Sequence, residues 1–102
     1  MHEKMADFRL TFRADAELEN AYTFSEERFG RYQAEADLAG LNRTFGLIAD
    51  FPGMGVTADE LVPGYRRFRF QSHYILYTEE ADHVLIRALP HTSQKLRPEL
   101  FR

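Results

Sequence analysis

The sequence contains no cysteine, which excludes a disulfide framework, a thiolate metal site and a thiol nucleophile together. Zinc would have to be held by nitrogen and oxygen alone. None of the four histidines stands four residues from another or at a ligand spacing from a carboxylate, so no metal is expected. No apolar run approaches the roughly 18 residues that a membrane helix needs. The stretch Met1 to Asp7 also lacks the apolar core of a secretory signal, and the expected location is the cytoplasm. Gly53-Met54-Gly55 has neither the lysine nor the strand-to-helix setting of a phosphate-binding loop, so no cofactor is expected. Lysine is nearly absent as well, occurring only at Lys4 and Lys95.

What is present is enough for one core. With 102 residues and 44% hydrophobic content, the chain suits a single domain over 7–102, preceded by a polar segment, 1–6, expected to be disordered. Net charge is −3, which argues against generic or direct sequence-specific DNA binding by the chain alone. The distribution is more informative than the sum. Residues 1–60 carry six basic and twelve acidic side chains, whereas 61–102 carry seven and four.

The basic half contains three short runs rich in aromatic and β-branched residues. Tyr65 to Phe70, His73 to Thr78 and His83 to Leu89 are separated by Gln71-Ser72 and by Glu79 to Asp82, and links this tight predict an antiparallel meander. Even-numbered loops carry side-chain parity from strand to strand. Phe68, Phe70, Ile75, Tyr77, Val84, Ile86 and Ala88 then share a core face. Arg67, Arg69, Tyr74, Leu76, Leu85, Arg87 and Leu89 share the other. Upstream, Phe8-Arg9-Leu10-Thr11-Phe12 alternates with period two and predicts a first strand whose Phe8, Leu10 and Phe12 face the core.

Two helices are predicted between these strands. Ala14, Leu18, Ala21, Tyr22 and Phe29 lie on one side of a 3.6-residue period that stops at Gly30. Ala34, Leu38, Leu41, Phe45 and Ile48 repeat the pattern up to Pro52-Gly53. The short link makes them an antiparallel hairpin. Gly40 and Gly46 inside the second helix are most simply read as close packing or tolerance. Residues 52–64 read as a loop, Pro90 ends the last strand, and Leu96, Leu100 and Phe101 can dock as a partial helical turn. The expected architecture is α+β, a two-layer β-α-α-β-β-β domain with an antiparallel sheet and the helix hairpin on one face.

A hairpin covers only one face, so the arginine-bearing face is expected to stay open. Three arginines among Tyr74, Leu76, Leu85 and Leu89 suit a recognition surface better than a solvated one. Planar guanidinium groups could clamp phosphate or a partner's carboxylates. His91, just beyond the last strand, is the one histidine placed for general acid chemistry, although an exposed loop histidine is the plainer reading.

The ordered strings Leu47 to Gly55, Glu60 to Phe68 and Ser72 to Tyr77, with Ile86-Arg87-Ala88-Leu89, resemble the ParE branch of the RelE/ParE toxins. The resemblance implies the toxin of a type II toxin-antitoxin module, one that inhibits DNA gyrase by direct binding rather than catalysis. It also implies a hetero-oligomer with a ParD-like antitoxin. Antitoxin or target contacts are then expected at Arg67, Arg69, Tyr74, Leu76, Leu85, Arg87 and Leu89, with His91 and Lys95 in the tail. The RelE branch suggests an alternative, a ribosome-dependent messenger-RNA endoribonuclease using His91, Arg67 and Arg87; a non-toxic antitoxin-binding relative is the third. The family pattern has His directly after the last strand's Leu, whereas here Pro90 intervenes and Thr92-Ser93-Gln94 follows.

Overall fold

The computed structural model describes residues 7–101, and the expectation for segment 1–6 lies outside them. Strand β1 (Phe8–Leu10) is followed by helices α1 (Phe12–Phe29) and α2 (Arg31–Asp50). A 3-10 turn at Pro52–Met54 leads to β2 (Val56–Thr57), and the meander β3 (Arg66–Phe70), β4 (His73–Glu79) and β5 (Val84–Ala88) completes the sheet. A second 3-10 turn occupies Pro98–Leu100. The sheet order is β1-β5-β4-β3-β2.

The meander is antiparallel as expected, with Phe68 opposite Ile75 and Glu79 opposite Val84. The sheet as a whole is mixed, because β1 runs parallel to β5 with Phe8 opposite Val84. Residues 52–64 are not simply a loop, since Val56 and Thr57 pair with Arg67 and Arg66 at the sheet edge.

The first strand also stops earlier than its alternation predicts. Thr11 caps α1, its hydroxyl accepting from the Ala14 N–H at 3.0 Å and donating to the Arg87 carbonyl at 2.9 Å. A side-chain cap of this kind fixes where a helix begins. Phe12 therefore opens α1 and is 98% exposed, not in the core. Phe29, expected on the buried side of α1, is exposed as well.

The main core lies where the two periodicities place it. Ala14, Leu41, Phe45 and Ile48 of the hairpin meet Ile75, Tyr77, Val84 and Ile86 of the sheet, with Phe8, Leu10, Leu18, Phe68 and Phe70 packed around them. Gly40 sits under the Phe70 ring, where a Cβ would lie 2.7 Å from a ring carbon. Close packing is thus the reason for glycine there.

Parity fails at one point. Leu76 is opposite Ala88 but Tyr77 is opposite Ile86, so β5 carries a bulge at Arg87. An extra residue in one strand reverses the alternation beyond it. Ala88 consequently joins Leu76 on the second face, and Leu89 turns into the main core.

The second face is not open. Ala58, Leu61 and Tyr65 from the β2–β3 connection and Phe101 from the tail pack on Leu76 and Ala88, with Val62, Tyr74, Leu96 and Leu100 around them. The tail does dock through Leu96, Leu100 and Phe101, and Arg13 of α1 clasps it by donating to the Leu100 carbonyl and lying 4.7 Å over the Phe101 ring.

Phe45 is fully buried at the centre of the hairpin-to-sheet contact, 5.4 Å from the Phe8 ring. Phe45→Ala is expected to cost about 3–5 kcal/mol in chemical denaturation, close to the whole stability of a small domain. A loss under about 1 kcal/mol would place this residue outside the core.

Candidate functional site

Six of the nine residues expected to form a contact surface lie in the meander strands and a seventh, Leu89, directly follows β5, and the fold sorts them into very different environments. Leu76 is fully buried and Leu89 is 3% exposed, each inside a cluster. Leu76 lies under the cover that includes the docked tail and Leu89 lies in the main core, so neither is available to a partner. Tyr74 and Leu85 are half-buried.

The three arginines separate in the same way. Arg87 is engaged within the chain: its Nε donates to the Thr78 hydroxyl at 3.1 Å, a terminal nitrogen lies 3.5 Å from Glu80, and its guanidinium lies 5.6 Å over the Tyr65 ring. The Glu80 carboxyl is held below the usual carboxylate range, first by the Thr78 hydroxyl, which donates to it at 2.6 Å, and then by Arg87. Arg67 stacks 5.5 Å from the Tyr74 ring, and the exposed Arg69 donates to the Gln71 carbonyl. Among the described residues neither has a carboxylate within 4.0 Å. They are the cations of this face still able to take an acidic partner.

Of the tail residues, Lys95 and His91 are exposed. The ring of His91 takes the Ser93 N–H at 3.0 Å on Nδ1. Its backbone bridges to His73, and the two imidazoles meet edge to face with centroids 5.3 Å apart. His91 is therefore beside the first residue of β4, whereas the Arg87 guanidinium is held at Thr78, five residues along the same strand. At about 3.3 Å per residue that separation is roughly 16 Å. The structure does not bring His91 and Arg87 to a common point.

A feature not foreseen from the sequence lies between the hairpin and the end of the sheet. A cleft of about 120 Å³ is walled by Leu18, Ala21, Tyr22, Leu38 and Leu41, with His73 and His91 on one side and Phe24 and Phe29 at the mouth. Arg28 spans both phenylalanines, 5.2 and 5.9 Å from their rings. Periodicity places Tyr22 and Phe29 on the buried side of α1, and no pattern in the sequence singles out Phe24. Among the described residues no group of acidic or histidine side chains is arranged to hold a metal, and no helix is long and apolar enough to cross a membrane.

The element order, the hairpin over one face and the residues themselves now admit comparison with known proteins. The family of ParE toxins of the type II toxin-antitoxin system parDE matches residues 8–96. The chain belongs to the ParE toxin family. It is 38% identical over 96 residues to toxin ParE1 of Caulobacter vibrioides, covering 94% of this chain and 99% of that one. Toxin ParE1 of Mycobacterium tuberculosis is 36% identical over 64 residues, 63% of this chain and 65% of that protein. A solved chain from the chromosomal ParDE system of P. aeruginosa superposes with a TM-score of 0.74 at 15% identity, over 87% of this chain and 98% of that one. It supports the fold alone. The chain is thus a ParE toxin of a parDE type II module, with the α+β RelE/ParE fold.

Burial, and then the neighbouring His91, lower the pKa of His73 from its ordinary 6.5, against smaller opposing effects of Glu17 and Asp37. The fold therefore favours the neutral ring. Its contribution to stability is complete above about pH 6.5 and declines as pH falls from there through the lowered folded value. Thermal melts across that window should show a falling Tm that is largely flattened in His73→Gln. The Glu80 carboxylate, whose pKa is lowered, is lost only at more acidic pH. Equal pH slopes for parent and variant would contradict the assignment.

Proposed function

We propose that the chain inhibits DNA gyrase by direct binding, without catalysis, and that a ParD-like antitoxin neutralises it. The observation that carries the non-catalytic reading is the separation of His91 from Arg87. A ribonuclease needs its general acid and its phosphate clamp within hydrogen-bond reach of one scissile phosphate. Here Arg87 is committed to Thr78, Glu80 and Tyr65 at the other end of β4.

The antitoxin reading is supported by membership in a family whose members are described as parDE toxins, and by two arginines that lack a carboxylate. An acidic antitoxin segment crossing Arg67 and Arg69 would pair them as water leaves. Truncating one member of such a pair typically costs 2–5 kcal/mol. Tyr74 and Leu85 supply the apolar contact still accessible on that face, and Lys95 is a further cation in the tail.

Purified chain is expected to block supercoiling by gyrase, with relief on addition of the ParD-like protein. No inhibition at saturating chain would overturn the gyrase reading, and new cuts in ribosome-bound messenger RNA that vanish in His91→Ala would replace it. Arg67→Ala should weaken the antitoxin complex at least tenfold, about 1.4 kcal/mol. Arg87→Ala should instead lower Tm, because it strips Glu80 and Tyr65 of their partner. Calorimetric titration and melts of the two variants separate these effects.

A further inference from the structure

Four of the large apolar side chains left in water fall within the eleven residues from Leu47, in the last turn of α2, to Thr57 of β2: Leu47, Phe51, Met54 and Val56 are 49%, 64%, 36% and 60% exposed. Exposed apolar residues on a loose loop need no explanation, but this segment is fixed from beneath. The Tyr77 hydroxyl, reaching out of the main core, donates to the Pro52 carbonyl at 2.6 Å and accepts the Gly55 N–H at 3.0 Å. Arg66 donates to the Gly55 carbonyl at 2.6 Å. At Gly55 a Cβ would lie 2.6 Å from the Tyr77 oxygen and 2.8 Å from the Arg67 carbonyl, so only glycine allows the segment to sit this close to the sheet. A partner meeting such a surface has little ordering entropy to lose.

The same segment ends in an unpaired sheet edge. Ala58 donates to the Tyr65 carbonyl at 2.8 Å, and antiparallel pairs alternate between bonded and non-bonded. Thr57, opposite Arg66, therefore turns its N–H and C=O away from β3, toward solvent. Edges are usually kept very short, as β2 is with its two residues, or blunted by Lys, Pro or a cover. This one presents Val56 and Thr57, both exposed.

Charge selects the occupant. Val56 stands opposite Arg67 and Thr57 opposite Arg66, and among the described residues neither arginine has a carboxylate within 4.0 Å. A second copy joined edge to edge would set these arginines against their own kind. An acidic strand would pair them, and it would be continuous with the Arg67 and Arg69 face.

We infer that the free edge of β2 and the apolar segment before it receive an extended strand of the antitoxin, one carrying both carboxylates and large apolar side chains. The inference rests on the reading that a ParD-like antitoxin binds this chain. Side chains on one side of the added strand meet Val56 and Arg67, and those on the other meet Phe51 and Met54 at the end of α2.

Amide hydrogen exchange on the full chain, free and mixed with the purified ParD-like protein, tests the inference directly. The Thr57 amide exchanges fast in the free chain and becomes protected in the complex. Thr57→Pro, which removes an outward donor without touching the ladder, and Val56→Glu, which sets a carboxylate against an acidic strand, each raise Kd at least tenfold. Unchanged melts confirm that the variants fold, and Asn20→Ala on the exposed side of α1 serves as control. If the parent binds the antitoxin but Thr57 stays unprotected, or both variants bind like the parent, this inference falls and the antitoxin reading stands. If the parent does not bind at all, the antitoxin reading falls and takes the inference with it. Concentration-dependent protection of Thr57 in the chain alone would assign the edge to a second copy and overturn it.

Discussion

Ile75, Leu76, Tyr77 and Thr78 are consecutive in β4 and all are buried. Side chains alternate along a strand, so four buried neighbours mean that both faces of the sheet are covered at its centre. Two covers are needed, and the chain has material for only one conventional layer. The helix hairpin supplies that layer. The other cover is assembled from what remains, namely the β2–β3 connection, with Ala58, Leu61 and Tyr65, and the C-terminal tail, with Leu96, Leu100 and Phe101. This requirement explains why the tail is docked and why Arg13 at the start of α1 clasps its end.

The double covering also decides which cations remain for recognition. Arg87 of β5 and Arg67 of β3 are the same residue type on the same face, on the two strands that flank β4. Arg87 lies where the connection folds over β4 and β5, with Tyr65 beneath it and Thr78 and Glu80 within reach, and its charge is used internally. Arg67 lies on β3, across β4 from Arg87, with its guanidinium 5.5 Å from the Tyr74 ring and no carboxylate within 4.0 Å among the described residues. Internal partners distinguish Arg87, whose charge is used within the chain, from Arg67, whose charge has no carboxylate beside it.

Much of this was legible in the sequence because the signals are local and periodic. The 3.6-residue spacing of Ala34, Leu41, Phe45 and Ile48 placed α2 and its buried face correctly. The two-residue link at Gln71-Ser72 and the four-residue link, read at Glu79 to Asp82 and found one residue later, preserved parity across the meander, so Phe68, Ile75, Tyr77, Val84 and Ile86 fell on the core side as read. The misreadings have physical causes that a period cannot report. Thr11 could continue an alternating strand or cap a helix, and its two hydrogen bonds settled the choice in favour of the cap. The bulge at Arg87 inserts one residue without a glycine or proline to mark it, exchanging the faces of Ala88 and Leu89. The second cover is built from segments lacking periodicity, and the cleft from residues distant in sequence, so neither left a local trace.

The segment from Leu47 to Gly55, which carried much of the resemblance to ParE toxins, illustrates the same division from the other side. Its helical part is explained by packing, since Ile48 and Ala49 are buried. Its non-helical part is explained by the Tyr77 hydroxyl, a polar group that burial in the core obliges to find partners, and that finds them in Pro52 and Gly55. Burial also raises the Tyr77 pKa, so the phenol stays protonated and able to donate at physiological pH. Phe51, Met54 and Val56 are left over after both explanations. They contribute little to the fold that holds them in place, and residues rigidly displayed without a structural duty are where contact with another molecule is the remaining physical reason for an apolar side chain.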